Sequence, residues 1–145
     1  MAFTRHFYRN LNLVFTQVTG TIDDQSLLIH IMSLQAESGN YHCIREMVDA
    51  RDLRNTDGLT VQGCIRIAEK HRELFPGKEF LAAVLVNSSD IGKIVDVYSS
   101  LAGSMNLKVK AFDGTLDDPL AWLGYEYRDR TRIKRLIGKH SKTLP

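Results

Sequence analysis

A chain of 145 residues, 43% of them apolar, falls in the size range of one domain and can bury a sizeable core without metal or disulfide support. It has no run of about 18 uncharged apolar residues, and its N-terminal MAFTRHFYRN has neither an apolar signal core nor a small-residue cleavage site, so a soluble cytoplasmic protein is expected. The net charge of +2 hides an asymmetry: residues 1–124 hold 12 Lys and Arg against 15 Asp and Glu, whereas residues 125–145 hold 7 against 2, a mildly acidic body with a basic tail.

Phe3 to Tyr8 and Leu11 to Thr19 are rich in aromatic and β-branched residues, which predicts an opening hairpin with Arg9-Asn10 as its turn. Gly20 breaks the second strand, and Thr21 with Asp24 forms a capping box for a helix over Ile22 to Glu37. Leu27, Leu28, Ile31, Met32 and Leu34 space out one face of that helix, and Gly39 ends it.

Tyr41 to Val48 is the next strand, followed by a charged loop that runs to Asp57-Gly58. A second helix opens near Thr60, with Val61, Cys64, Ile65, Ala68 and Phe75 as its buried stripe, until Pro76-Gly77 stops it. The continuous apolar run Phe80 to Val86 reads as a central strand.

Asn87-Ser88-Ser89 supplies the N-cap of a third helix marked by Ile91, Ile94, Val95, Tyr98, Leu101 and Met105. Leu107 to Phe112 alternates as an edge strand does, with Lys108 and Lys110 facing water. Thr115 and Asp118 form a second capping box, Pro119 sits in the first turn, and Leu116, Leu120 and Leu123 anchor a short last helix. The ββαβαβαβα order predicts a single α/β domain over residues 1–124 with a mostly parallel or mixed sheet, and a basic C-terminal tail over 125–145.

This order resembles that of a known family, as do the VDARDL strand end, the NSSDIGKIVDVY opening of the third helix and the FDGTLDDPLAWL ending. Over roughly residues 10 to 124 the chain resembles the bacterial SpoIIAA-like proteins of the STAS type. The resemblance implies βα units wound as a superhelix, and relatives that serve as signalling domains, as parts of regulatory complexes or as small stand-alone proteins. It extends at the level of fold to the yeast-type phosphatidylinositol-transfer domains, which bind lipid. In the phospho-regulated anti-sigma-factor antagonists an Asp-Ser-Ser-Gly-Leu element opens a helix, and its first serine is the phosphoacceptor. The matching stretch here is Asn55-Thr56-Asp57-Gly58-Leu59, which sets Thr56 at that position. It departs from the pattern at Asn55 and Asp57 and in the shorter spacing from Asp49.

In a parallel α/β sheet, strand C-termini and the following helix N-termini share the edge where ligands usually bind. Asp49, Thr56, Thr60, Asn87, Ser88, Ser89 and Asp113 are expected there, with Asp52, Asp57 and Gly58 in the adjoining loop. Hydroxyls and free helix amides at such an edge suit an anionic group. The bland reading, ordinary caps and turn acids, outweighs this one about three to one.

In the tail, Arg130, Arg132, Lys134 and Arg135 surround an apolar face of Ile133, Leu136 and Ile137 if the segment is helical. Such a helix docks on anionic lipid or nucleic acid, or more commonly packs on its own domain. Cys43 and Cys64 have no metal-ligand spacing and read as small buried hydrophobes. His71 stands seven residues after Cys64, about 10 Å along the helix axis, too far for a nucleophile and base pair. His6, His30 and His42 have no acidic companion at ligand or triad spacing, and no phosphate loop, nucleophile elbow or zinc motif occurs.

No metal or cofactor is therefore expected. A non-enzymatic interaction or regulatory module ranks first, with a protein partner or a second copy of the chain as its target. A binder of a small apolar or lipid-like ligand ranks second. An enzyme whose site assembles across distant sequence ranks third.

Overall fold

A computed structural model describes residues 2–39, 41–102 and 107–142. The strands are β1 (Phe3–Tyr8), β2 (Leu13–Asp23), β3 (Cys43–Gly58), β4 (Glu79–Leu85) and β5 (Leu107–Phe112), and they lie in the order β1-β2-β3-β4-β5. The helices are α1 (Asp24–Glu37), α2 (Val61–Leu74), α3 (Ser89–Ala102), α4 (Asp117–Trp122) and α5 (Tyr127–Lys142). β1 runs antiparallel to β2, and β2 through β5 are parallel. The α/β order expected from the sequence is present, with α5 added to it.

The two faces of the sheet follow from the two-residue period of a strand. On β2 and β4, Val14, Phe80 and Ala82 join Ile31 and Leu34 of α1 and Ile67 and Ala68 of α2 in one core. Leu13, Phe15, Ala83 and Leu85 turn the other way, onto Leu120, Leu123, Ile133 and Ile137. Because consecutive strands are neighbours and α1, α2 and α3 all cover the same face, the βα units wind as one superhelix. Residues after 124 share this core: Ile133 and Ile137 of α5 are buried, and the Tyr125 hydroxyl donates to the Leu11 carbonyl at 2.6 Å.

Several local expectations are corrected. The hairpin turn is a 3-10 turn over Arg9–Leu11 closed by Asn12 in the left-handed region, so β2 starts at Leu13. Gly20 does not end β2. With φ +74 it bends the strand at a register shift, and pairing with β3 continues to Asp23 opposite Gly58. The helix cap therefore moves from Thr21 to Asp23, which accepts from Ser26 N at 2.8 Å while Ser26 Oγ accepts from Asp23 N. The charged loop after Val48 is strand as well, with Ala50 and Leu53 buried in it, and past Asp49 it pairs with β2 alone, so β2 and β3 leave the sheet as a two-stranded arm.

Thr115 and Asp118 make no capping box, because α4 starts from Leu116 without a side-chain cap. Met32, Val61 and Ile65 are exposed rather than buried, and α2 buries Cys64, Ile67, Ala68 and His71 instead. Cys43 is half-buried with its thiol toward Glu79, while Cys64 is buried. Met105 lies outside the described residues.

Candidate ligand-binding site

β3 places Glu46 on the face covered by α1–α3, where the residue is 3% exposed. Three other elements converge on it. Thr16 Oγ1 of β2 donates to Glu46 Oε2 at 2.6 Å, and His30 Nε2 of α1 lies 2.8 Å from the same oxygen. Arg5 Nη1 of β1 sits 3.2 Å from His30 Nδ1. Since a guanidinium only donates, Nδ1 is the acceptor and the ring proton is on Nε2, directed at the carboxylate. The chain runs Arg5 to His30 to Glu46, with Phe3 stacked flat on the imidazole at 4.3 Å. Burial alone would raise the Glu46 carboxyl, but His30 and the Thr16 hydroxyl more than offset it and hold it below the usual range.

A second buried histidine stands on α2. His71 is 3% exposed, packed edge-on against Phe80 at 4.4 Å and beside Phe75, and its Nδ1 lies 3.2 Å from the Tyr98 hydroxyl of α3. Burial pushes its pKa down to about 4, with Glu46 opposing that in part, so the ring is neutral at pH 7. Burial also pushes the Tyr98 and Cys64 hydroxyl and thiol up.

Between the sheet and α1–α3 these groups border an apolar cavity of about 130 Å³. Val18, Val48, Ala50, Ala82 and Val84 form its sheet wall, and Ile31, Cys64, Ile94 and Val95 its helix wall. Ile22, Leu53, Thr56 and Leu59 of the arm and the turns after it line the end toward the strand C-termini. His30, Glu46, His71, Tyr98 and Thr56 carry the polar atoms on the wall, and no Lys or Arg borders it.

The residues expected at the edge are distributed as follows. Asp49 pairs in register with Leu85 and Leu85 with Phe112, so Asp49, Asn87 and Asp113 mark the C-terminal edge of β3, β4 and β5. Asp49 is engaged by Arg51 through two bonds of 2.9 and 2.8 Å. Ser88 Oγ accepts from Asp90 N at 3.2 Å, an ordinary cap for α3, which opens at Ser89. Thr60 caps α2 by accepting from Gly63 N, and its own hydroxyl donates to Asp24 at 2.7 Å, tying the starts of α1 and α2 together.

Asp52, Thr56, Asp57 and Gly58 lie on the arm, with Thr56 half-buried against the cavity and the other three exposed. In the tail, Lys134 reaches Asp117 at 2.9 Å and Arg130 reaches the Tyr125 carbonyl at 2.8 Å, leaving Arg132 and Arg135 exposed. Sequence reasoning missed Glu46, His30 and His71 as a group. The available signal was Glu46 itself, an acid set between Ile44 and Val48 at the two-residue spacing of one strand face.

Among the described residues no group of three or more His, Cys, Asp or Glu is placed to hold a metal ion, and no helix is long and apolar enough to cross a membrane.

No family model matches the chain, and a search of curated proteins finds no match. Solved structures do match. One is an uncharacterised protein of the DUF3478 family with a SpoIIAA-like fold from Shewanella loihica PV-4, with 14% identity, a TM-score of 0.54, and coverage of 84% of this chain and 92% of that one. Another is the anti-sigma factor antagonist SpoIIAA in its unphosphorylated form, with 12% identity, a TM-score of 0.50, and coverage of 86% of this chain and 100% of that one. At these identities the likeness is one of fold, and the fold is SpoIIAA-like.

Proposed function

We propose that the chain is a non-catalytic binding module of the SpoIIAA-like fold that holds a small apolar molecule between its sheet and α1–α3. The cavity of about 130 Å³, with apolar walls on both sides, carries this reading. A ligand of matching shape takes these apolar walls out of contact with water, which is the driving force for its binding. Its volume is close to that of an engineered apolar cavity of about 150 Å³ that binds benzene, which sets the ligand at the size of a single ring or a short alkyl chain. Native mass spectrometry of the protein purified from its own cells tests the reading. A retained small molecule supports it, and protein that arrives bare and takes up no ring-sized apolar probe opposes it.

A second reading, a module that recognises a protein partner, is favoured by the likeness of fold to an anti-sigma factor antagonist and by the arm. Arg51, Asp52, Arg54, Asn55 and Asp57 are exposed on the same ribbon whose Leu53 and Thr56 line the cavity. The two readings are compatible, because a molecule under the arm touches the strand that presents those charges.

A further inference from the structure

We infer that His71 is the polar anchor of the cavity, and that the molecule held there is uncharged, with a single hydroxyl or carbonyl oxygen at one end of an apolar body. This rests on the binding reading above and names the ligand class. Of the polar side chains on the wall, His71 alone keeps a buried ring nitrogen without a partner among the described residues: Nδ1 lies 3.2 Å from the Tyr98 hydroxyl and Nε2 has none, on a ring that borders both this cavity and a smaller hollow beside Phe75, Pro76 and Leu107. His30 has both nitrogens engaged, by Arg5 and by Glu46. A buried imidazole nitrogen is rarely left unsatisfied in a native protein, and a ligand oxygen beside it restores the missing bond. A neutral ring that accepts from Tyr98 at Nδ1 carries its proton on Nε2 and offers a donor to a carbonyl or hydroxyl oxygen; one that donates to Tyr98 leaves Nε2 as an acceptor for a ligand hydroxyl.

Charge narrows the class further. Glu46 brings an anionic carboxylate to the wall, no Lys or Arg stands there to balance a second one, and the remaining surface is apolar. A carboxylate or phosphate in this cavity would be desolvated without a counter-charge and repelled by Glu46. An alcohol, phenol, aldehyde or ketone meets neither penalty.

The test is a matched series of one-ring probes, toluene, benzyl alcohol, benzaldehyde and benzoate, titrated into the full chain at pH 7.5 by calorimetry. Benzyl alcohol and benzaldehyde are expected to bind about five- to tenfold more tightly than toluene, the size of one added hydrogen bond, and benzoate at least tenfold more weakly than toluene. In His71→Phe the preference for the oxygenated probes is expected to vanish while toluene still binds. Should that variant fold poorly, ¹⁵N-histidine spectra of the wild-type chain give the same information. The Nε2 resonance of His71 is expected to move on addition of benzyl alcohol and to stay on addition of toluene. Equal binding of toluene and benzyl alcohol, tighter binding of benzoate, or an unmoved Nε2 resonance overturns the inference and leaves the apolar binding intact. Failure of every probe, toluene included, removes the binding reading itself.

Discussion

His30 Nε2 meets Glu46 Oε2 at 2.8 Å, with the two side chains 3% and 4% exposed. Sixteen residues separate them in sequence, and helix α1 and the central strand β3 bring them together. Removing the carboxylate leaves the His30 N–H and the Thr16 hydroxyl buried without an acceptor, at about 1–3 kcal/mol for each. Glu46→Ala is therefore expected to destabilise the fold by the two together in urea unfolding. Glu46→Gln keeps an oxygen to accept from His30 and Thr16 and is expected to cost only about 1–2 kcal/mol. Equal losses from the two substitutions would contradict this account of the pair.

Acid acts on the same face of the sheet through His71. Its native pKa of about 4 lies below the ordinary 6.5, so between these values the unfolded chain binds a proton that the native state refuses. Stability from this group is fully present above pH 6.5 and is lost as pH falls through that window, by about 2–4 kcal/mol. Glu46, held low in the native state, adds a loss in the same direction below its ordinary 4.5. Of the groups that face His71, the Glu46 carboxylate opposes the effect of burial and the Tyr98 hydroxyl stays protonated throughout this range. Urea midpoints at pH 7.5, 6.0, 5.0 and 4.5 are expected to fall steadily, and His71→Phe to flatten the profile above pH 4.5. An unchanged slope in that variant would assign the acid sensitivity elsewhere.

Gly63 bears on the junction between α1 and α2. A Cβ built there meets the Asp24 carboxyl at 2.1 Å, and that carboxyl is held by Thr60 through bonds of 3.0 and 2.7 Å. Gly63→Ala is expected to displace Asp24 and cost about 1–3 kcal/mol despite the better helix propensity of alanine. In the double variant with Asp24→Ala the two losses are expected to be strongly non-additive, since both break the same contact. Simple additivity in the cycle would separate Gly63 from the Asp24 contact.

Thr56 distinguishes the two readings of the arm. Thr56→Glu sets a carboxylate against the apolar cavity and is expected to weaken binding of benzyl alcohol at least about tenfold, whereas Thr56→Ala leaves it within about twofold. If the arm also recognises a protein, capture of that protein from lysate is expected to differ between the variants, with Thr56→Glu the weaker. Identical capture by the two would remove Thr56 from partner recognition.

Much of the fold was legible because each core residue obeys a period. Val14, Phe80 and Ala82 alternate with Leu13, Ala83 and Leu85, and the helices carry their apolar residues at helical spacing. The errors have particular causes. Gly20 looks like a strand end because bulges and breaks share the same residue, and the register with β3 alone tells them apart. Arg51, Asp52, Arg54 and Asn55 look like a loop because the ribbon turns only Leu53 and Thr56 toward the cavity, three residues apart, and so displays no two-residue alternation. Val61 and Ile65 look buried by spacing, yet α2 turns Cys64, Ile67, Ala68 and His71 to the core. The candidate site was the least legible part. Glu46, His30 and His71 come from one strand and two helices, and no local spacing links them.

The central claim, that the space between the sheet and α1–α3 is a ligand site, is tested most directly by filling it. Ala82 is buried in the cavity wall, so Ala82→Leu places side-chain carbon where a ligand would sit. In thermal unfolding with and without saturating benzyl alcohol, the wild-type chain is expected to melt several degrees higher with the probe. Ala82→Leu is expected to melt at or above the probe-free wild type and to gain nothing from the probe. A wild-type melting point indifferent to the probe, or an Ala82→Leu chain that still responds in full, would contradict the claim.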